Sequence, residues 1–499
     1  MDRSSTGLTR RALLIGASAG VGALVARQWR PVNHPGPGFP TASDLDAAGA
    51  TLLNDASELS ATRVASHIVV TDDPAVATDR VRSVLAEARA AGRPFIASAA
   101  RHSMGGHSLA AGGTVVTFDQ QWLEADTGQR TYRVGAGTRW STVIRKLDAI
   151  GFSPAVMQSN NDFGVASTYS VNAHGWPVPF SGGGTTVRRL TMMLADGSVV
   201  RCSRDENVEL FRAAMGGYGL LGVVLELELD MVPNALLDPT FETMSGPDLG
   251  GRFAAAVTDR TVQMAYGRMD VSLDRFLERA LLISYRPAVD QRSLPGASGS
   301  GFVSRASRYI FRGQVESDRA KHLRWWTEAS LGPRIAGAAT RNTLMNEPVV
   351  TLDDRDPSRT DILHEYFVAP LRFAEFVAAC QDVIPASYQQ LLNITLRYVA
   401  TDRDSVLAYA TEPRLAAVLL FSQEKTARGE ADMARMTQAL IDRVLAIGGS
   451  YYLPYRPHAR LDQLLRGYPR AGEFVSLKRR VDPDLLFRNQ LWDGYLSKL

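Results

Sequence analysis

Residues 101–108 read Arg101-His102-Ser103-Met104-Gly105-Gly106-His107-Ser108, a polar, glycine-bearing turn between the β-type runs RPFIASAA and TVVTFD. Successive backbone N–H groups in such a turn form an anion-binding nest, and glycines let a phosphate come close to the main chain. An imidazole placed after two glycines has the freedom to reach a ring system beside the turn. A plain strand-connecting loop with two surface histidines is the competing reading, and the loop alone does not separate the two. Upstream, HIVV reads as a strand and 74–91 as an amphipathic helix, so the turn sits inside a β-α-β unit.

Further along, RTYRVGAG is a strand and 140–150 a helix. RLTMMLADGSVVRC is a hairpin turning at Asp196-Gly197, 207–215 is helical, and LGVVLELELDMVP is a long alternating strand. Strands and helices mix without the strict alternation of a doubly wound sheet, which makes the class α+β. Beyond 235 the texture changes. ESDRAKHLRWWTEAS and EADMARMTQALIDRVLAI are helical, while ILHEYFVAP, LLNITLRYV and LAAVLLFSQ are strands of an antiparallel sheet flanked by helices. The expected divisions are 1–30, a targeting signal; 31–59, a Pro/Gly-rich linker and lead-in; 60–235, a first domain; 236–445, a second; and 446–499, a segment returning to the first.

Several functions are disfavoured at this level. The net charge is only +3 across 499 residues, with Lys and Arg scattered, so nucleic-acid binding has no electrostatic footprint. Cys202 and Cys380 are the only cysteines, too few for a disulfide framework or a zinc cluster. A metal held by His102, His107 and His174 lacks the HExxH or carboxylate pattern of metallohydrolases, so no metal is expected. Gly217-Tyr218-Gly219-Leu220-Leu221-Gly222 matches GxGxxG, but a helix precedes it and a strand follows, the reverse of a Rossmann turn. At the N-terminus, Thr9-Arg10-Arg11 precedes an apolar stretch over 12–26, shorter than the roughly 20 residues a helix needs to span a bilayer. That layout fits a twin-arginine signal, with export to the periplasm, cell wall or medium, and a membrane tether if the signal is retained.

A second polar run, 158–175 (QSNNDFGVASTYSVNAHG), favours phosphate or ribose binding over core packing, because small and hydroxylated residues dominate it. With it in place, four segments stand in a family's order: RPFIASAARHSMGGHSLAAGGTVVTF, VGAGTRWSTVIRKLDAIG, the 158–175 run, and ADGSVVRCSRDENVELFRAAMGGYGLLGVV. Together they resemble the FAD-binding domain of the vanillyl-alcohol-oxidase-type (PCMH-type) flavoproteins, which take in alditol and sugar-lactone oxidases, cytokinin dehydrogenase and decaprenylphosphoryl-ribose oxidase. GYPRAGEFVSLKRRVDPDLLFRN resembles the family's C-terminus.

The resemblance implies that residues 101–108 wrap the FAD pyrophosphate and that His107 is joined to the flavin 8α-methyl carbon. His102, in an RHS context, is the second choice. Gln158, Ser167, Ser170, His174 and Gly175 fall at cofactor positions, Gly222 and Val223 on the adenine or ribose side, and Asn489 near the isoalloxazine. Ala166-Ser167 replaces the family's Gly-Gly, no cysteine in 158–175 offers a second covalent link, and Tyr455 stands where decaprenylphosphoryl-ribose oxidase has a lysine.

In the second domain, strand alternation puts His364 and Tyr366 on one face and Glu365 on the other, and it aligns Asn393, Thr395 and Arg397. The two polar rows, read as neighbours, form either a substrate wall or a solvated sheet face. The expected reaction is hydride transfer from a C–H bond of a polyol, sugar or lactone to flavin N5, with oxygen or another acceptor closing the cycle. Asp162, His174 and His364 are candidate bases, Arg397 would stabilise an alkoxide, and Tyr366 and Tyr455 would line the site. Amine oxidation of the cytokinin-dehydrogenase kind and flavin binding without turnover are the alternatives.

Overall fold

The computed structural model describes residues 44–45, 51–299, 309–348 and 356–499. The stretch read as a twin-arginine signal and most of the linker lie outside them. The expected membrane tether is set aside: among the described residues no helix is long and apolar enough to cross a membrane.

The β-α-β unit forms as its periodicity dictates. Helix Pro74–Ala90 starts on a proline and buries Ala77, Val81, Val84, Leu85 and Ala88, a single stripe at helical spacing. It packs beside a parallel three-stranded sheet in which Thr114–Phe118 lies between Ser66–Val70 and Phe95–Ser98. A second, antiparallel sheet runs Val199–Ser203, Val187–Met193, Val223–Pro233, Thr131–Gly135, Leu123–Asp126. Along its long strand Leu227, Leu229 and Met231 are buried, while Glu226, Glu228 and Asp230 turn outward. Glu226 there takes a bidentate contact from Arg133 on the neighbouring strand, at 2.8 Å to each oxygen.

Residues 236 onward build an eight-stranded antiparallel sheet in the order Ala339–Thr340, Leu236–Ser245, Arg279–Pro287, Met264–Met269, Gln390–Val399, Arg414–Glu424, Arg359–Val368, Ser450–Tyr451. The two polar-bearing strands are therefore not neighbours, contrary to the sequence expectation. Arg414–Glu424 lies between them, and its Leu415, Ala416, Ala417, Val418 and Leu419 are all buried, as a strand covered on both faces requires. Helices Leu249–Thr258, Phe373–Val383 and Ala427–Ala446 pack on this sheet and on one another. The last is N-capped by Thr426 and buries Met433, Met436, Leu440, Ile441 and Val444.

Two chain segments tie the halves together. After Ser450–Tyr451 pairs at the sheet edge, Tyr452 donates its N–H to Glu365 O (3.0 Å), and Pro454 O accepts the N–H of Met104 (2.8 Å). Near the N-terminus, the Asp55 carboxylate accepts the N–H of Gly106 (2.7 Å), while Ser57 O accepts the Thr360 hydroxyl (2.6 Å) and Glu58 pairs with Lys425 (2.9 Å).

Candidate active site

A cavity of about 470 Å³ opens between the 101–108 turn, the 158–175 run and one face of the eight-stranded sheet. The turn owes its shape to left-handed backbone at Arg101 (φ 52°) and Gly106 (φ 68°). At Gly105 a side chain is excluded, since a Cβ there would lie 2.4 Å from the carbonyl oxygen of Tyr455. Asn489 caps helix Gln490–Gly494, and its side chain donates to His107 O (2.9 Å) and Tyr218 O (3.0 Å). It therefore braces the turn from behind and does not line the cavity.

Arg101, His102, Ser103, Met104, His107, Ser108, Gln158, Ser167, Ser170, His174 and Gly222 all line the cavity, whereas Gly105, Gly106, Gly175 and Val223 do not. The N–H groups of Met104 and Gly106 are committed to Pro454 O and Asp55, so the nest offers fewer free donors than its sequence suggests. Gly175 instead lets two segments touch: a Cβ there would sit 1.8 Å from Met157 O. Within the 158–175 run, helix Val165–Ser170 is held by Thr168, which donates to Gln158 Oε1 (2.6 Å) and accepts from Trp140 (2.8 Å).

Five polar atoms on this wall, His107 Nδ1, Ser108 Oγ, Gln158 Nε2, Ser159 Oγ and His174 Nδ1, are buried with no protein partner. Such groups are costly unless a ligand or water satisfies them. Burial pushes both His102 and His107 down to about 3, so both imidazoles are neutral at ordinary pH. His107 is nearly enclosed, with its ring donating to the Leu453 backbone. His102 is more open to the cavity and stacks on Phe163 at 4.1 Å.

The opposite wall carries Asn393, Thr395 and Arg397 from one strand, joined by Arg268 from the next. Asn393 donates to Thr395 Oγ1 (3.0 Å) and accepts from Arg324 (2.8 Å), and Arg268 also contacts Thr395. Between the walls stands a group that sequence reasoning passed over. Glu365, 2% exposed, contacts Nε2 of His174 through one carboxylate oxygen and accepts the Tyr455 hydroxyl through the other, at 3.2 Å. Arg397 Nη1 lies 3.4 Å from His174 O. Burial lowers the Arg397 guanidinium, and the Glu365 carboxylate opposes that shift.

His364 and Tyr366 lie elsewhere. They face helix Ala427–Ala446 and its surroundings, with His364 bonded to Thr437 (3.1 Å) and Tyr366 packed near Phe376. Asp162 stays out of the cavity lining and influences Arg139 instead. The alternation of ILHEYFV was legible, but the face that turns inward carries Leu363 and Glu365. A lone carboxylate amid large apolar residues was the available signal, because such a group is rarely buried without a partner or a task.

A family model described as "FAD binding domain" matches residues 75–203. Residues 75–203 thus carry an FAD-binding domain. An alditol oxidase from Streptomyces sp. (strain IKD472 / FERM P-14339) is 36% identical over 110 residues, covering 22% of this chain and 26% of that protein. The L-gulonolactone oxidase of Mus musculus is 31% identical over 120 residues, 24% of this chain and 27% of its own. The chain thus spans about a quarter of the length of the curated relatives it matches. Over nearly its whole length it shares a fold with a solvent-stable cholesterol oxidase, with TM-score 0.68, 14% identity, and 93% and 99% of the two chains covered. The unpartnered polar atoms and glycine-shaped turn fit FAD, a ligand rich in acceptors and donors along its length.

Proposed function

We propose that this flavoprotein removes a hydride from a carbon bearing a hydroxyl group, in a polyol, sugar or sugar lactone, and delivers it to flavin N5. One observation carries the reading: the cavity runs unbroken from the FAD-side turn to a wall of Asn393, Thr395, Arg397 and Arg268. Those side chains supply both donors and acceptors, as a hydroxylated substrate requires. The names of the relatives, alditol oxidase and L-gulonolactone oxidase, point to the same substrate chemistry. FAD, when bound, supplies the two-electron acceptor, and the protein supplies position and electrostatics. Arg397, half-buried in the cavity wall, would stabilise negative charge growing on the substrate oxygen.

Residues 60–235 and 446–499 would cradle the cofactor and 236–445 would cap the substrate. A histidine of the turn would anchor the flavin. Both imidazoles are neutral and hence nucleophilic; sequence favours His107, whereas exposure to the cavity supports His102. Arg10-Arg11 supports export of the folded, cofactor-loaded protein. The test has two parts. Acid precipitation should leave yellow colour in the pellet, and peptide mapping should locate it on His102 or His107. Anaerobic addition of sorbitol, xylitol or L-gulono-1,4-lactone should bleach the flavin. A colourless preparation unable to take up FAD would overturn the reading.

A further inference from the structure

Oxidation of an alcohol releases a proton as well as a hydride, and two of the groups first suggested by the sequence are badly placed to take it. Asp162 is outside the cavity and His364 faces the opposite side of its strand, while His174 lines the cavity with Nε2 held by Glu365 and Nδ1 unpartnered. We propose that Glu365 is the proton acceptor, reached through the hydroxyl of Tyr455, and that His174 is its positioning residue. This rests on the reading of the chain as a hydride-abstracting flavoenzyme.

The geometry is specific. Glu365 stands in the middle of strand Arg359–Val368, flanked on its own face by Leu363 and Phe367. Its carboxylate is spanned by His174 on one oxygen and Tyr455 on the other. Tyr455 and Glu365 both line the cavity. Since the Tyr455 O–H points at Glu365, the lone pairs of the phenol oxygen remain to receive a substrate hydroxyl. The chain of contacts therefore has a direction: substrate O–H to Tyr455 Oη, and Tyr455 O–H to Glu365 Oε2. Arg397 lies close enough to interact with Glu365. Neutralising the carboxylate by protonation releases the Arg397 charge to face the oxygen on which negative charge grows.

The step balances. The substrate O–H bond breaks as Tyr455 receives that proton and passes its own to Glu365. The C–H bond of the carbinol breaks with its electron pair, which leaves as hydride to FAD, and a carbonyl forms. Substrate loses two electrons, FAD gains them, and the proton resides on Glu365 until product release lets it out to solvent.

The experiment is anaerobic stopped-flow reduction of the holoenzyme by sorbitol and by L-gulono-1,4-lactone, comparing wild type with Glu365→Gln, Tyr455→Phe and His174→Asn, across pH. The groups facing Glu365 are His174, Tyr455 and Arg397, with Tyr218, Tyr409, Tyr452 and Tyr468 within electrostatic reach. Glu365→Gln should slow flavin reduction by about 100-fold or more, the usual range for loss of a general base, and should remove the acid limb of the pH–rate profile. His174→Asn should keep that limb and shift its midpoint. Flavin content and visible spectrum report whether each variant is intact. If Glu365→Gln does not hold flavin, Tyr455→Phe carries the test, with a loss of at least 10-fold expected, on the order of what a positioned proton carrier contributes. An intact Glu365→Gln or Tyr455→Phe variant that is reduced at the wild-type rate, with an unchanged profile, overturns the proposal alone. A wild-type flavin that neither probe reduces overturns the underlying reading, and this inference with it.

Discussion

The two walls of the cavity are built on opposite plans. On the FAD side, residues 98–108 and 158–175 present small side chains and backbone, and the shape is enforced from behind by Asp55, Asn489 and the Pro454 carbonyl. On the sheet side, Arg268, Asn393, Thr395, Arg397 and Glu365 project long polar side chains from strands whose pairing already holds them rigid. A loop wall gains accuracy only from bracing, whereas a strand wall inherits it from the sheet. Substitutions should divide accordingly: changes in the turn should cost flavin and stability, and changes on the sheet should cost chemistry while flavin stays.

The largest effect is expected at the turn. Gly105→Val places a Cβ against Tyr455 O and the His107 ring, a clash that only backbone movement relieves. Purified protein should be flavin-free and destabilised by about 3 kcal/mol or more, as overpacked sites are, measured by urea unfolding and absorbance near 450 nm. A yellow, stable variant would break the comparison. Next comes Arg397→Met, which should retain full flavin yet lose about 10²–10³-fold in kcat, the range for one electrostatic donor at a developing oxyanion. Steady-state assays beside a flavin stoichiometry would show it.

A pH dependence sharpens the contrast further, because two of the histidines that burial depresses, His102 and His107, lie on the turn, with His364 on the sheet a third. His102 and His107 are pushed down to about 3 from an ordinary value near 6.5. Between those limits the unfolded chain binds protons that the folded apoprotein does not, so stability falls as pH falls below about 6.5 and levels off near 3. The slope should be up to about 1.4 kcal/mol per pH unit for each histidine, and His102→Asn should reduce it in denaturation curves taken at pH 7, 6 and 5. The smallest effect is predicted for Tyr366→Phe. Its hydroxyl lies on the strand face away from the cavity, so flavin reduction should stay within about twofold of wild type. A large loss there would erase the distinction between the two faces of this strand.

Much of this architecture was readable along the chain. The helical stripe of 74–90, the hairpin at Asp196-Gly197, the alternation of 223–233 and the glycine turn at 101–108 are local patterns, set by covalent geometry and hydrophobic period. The same alternation placed Asn393, Thr395 and Arg397 on one face, and that face borders the cavity. Periodicity also separated Glu365 from His364 and Tyr366. It could not say which of those faces turns inward, because that depends on helix Ala427–Ala446 covering one side of the strand from more than sixty residues away, a separation bridged by the His364–Thr437 contact (|i−j| = 73). Sheet order is non-local for the same reason: Arg414–Glu424 slips between two strands that precede it in the chain. The bracing of the turn by Asp55, some fifty residues upstream (|i−j| = 51), and by Asn489, near the far end, likewise comes from long-range packing. Local pattern tells which residues stand together on a face; the packing of distant segments decides what that face looks at.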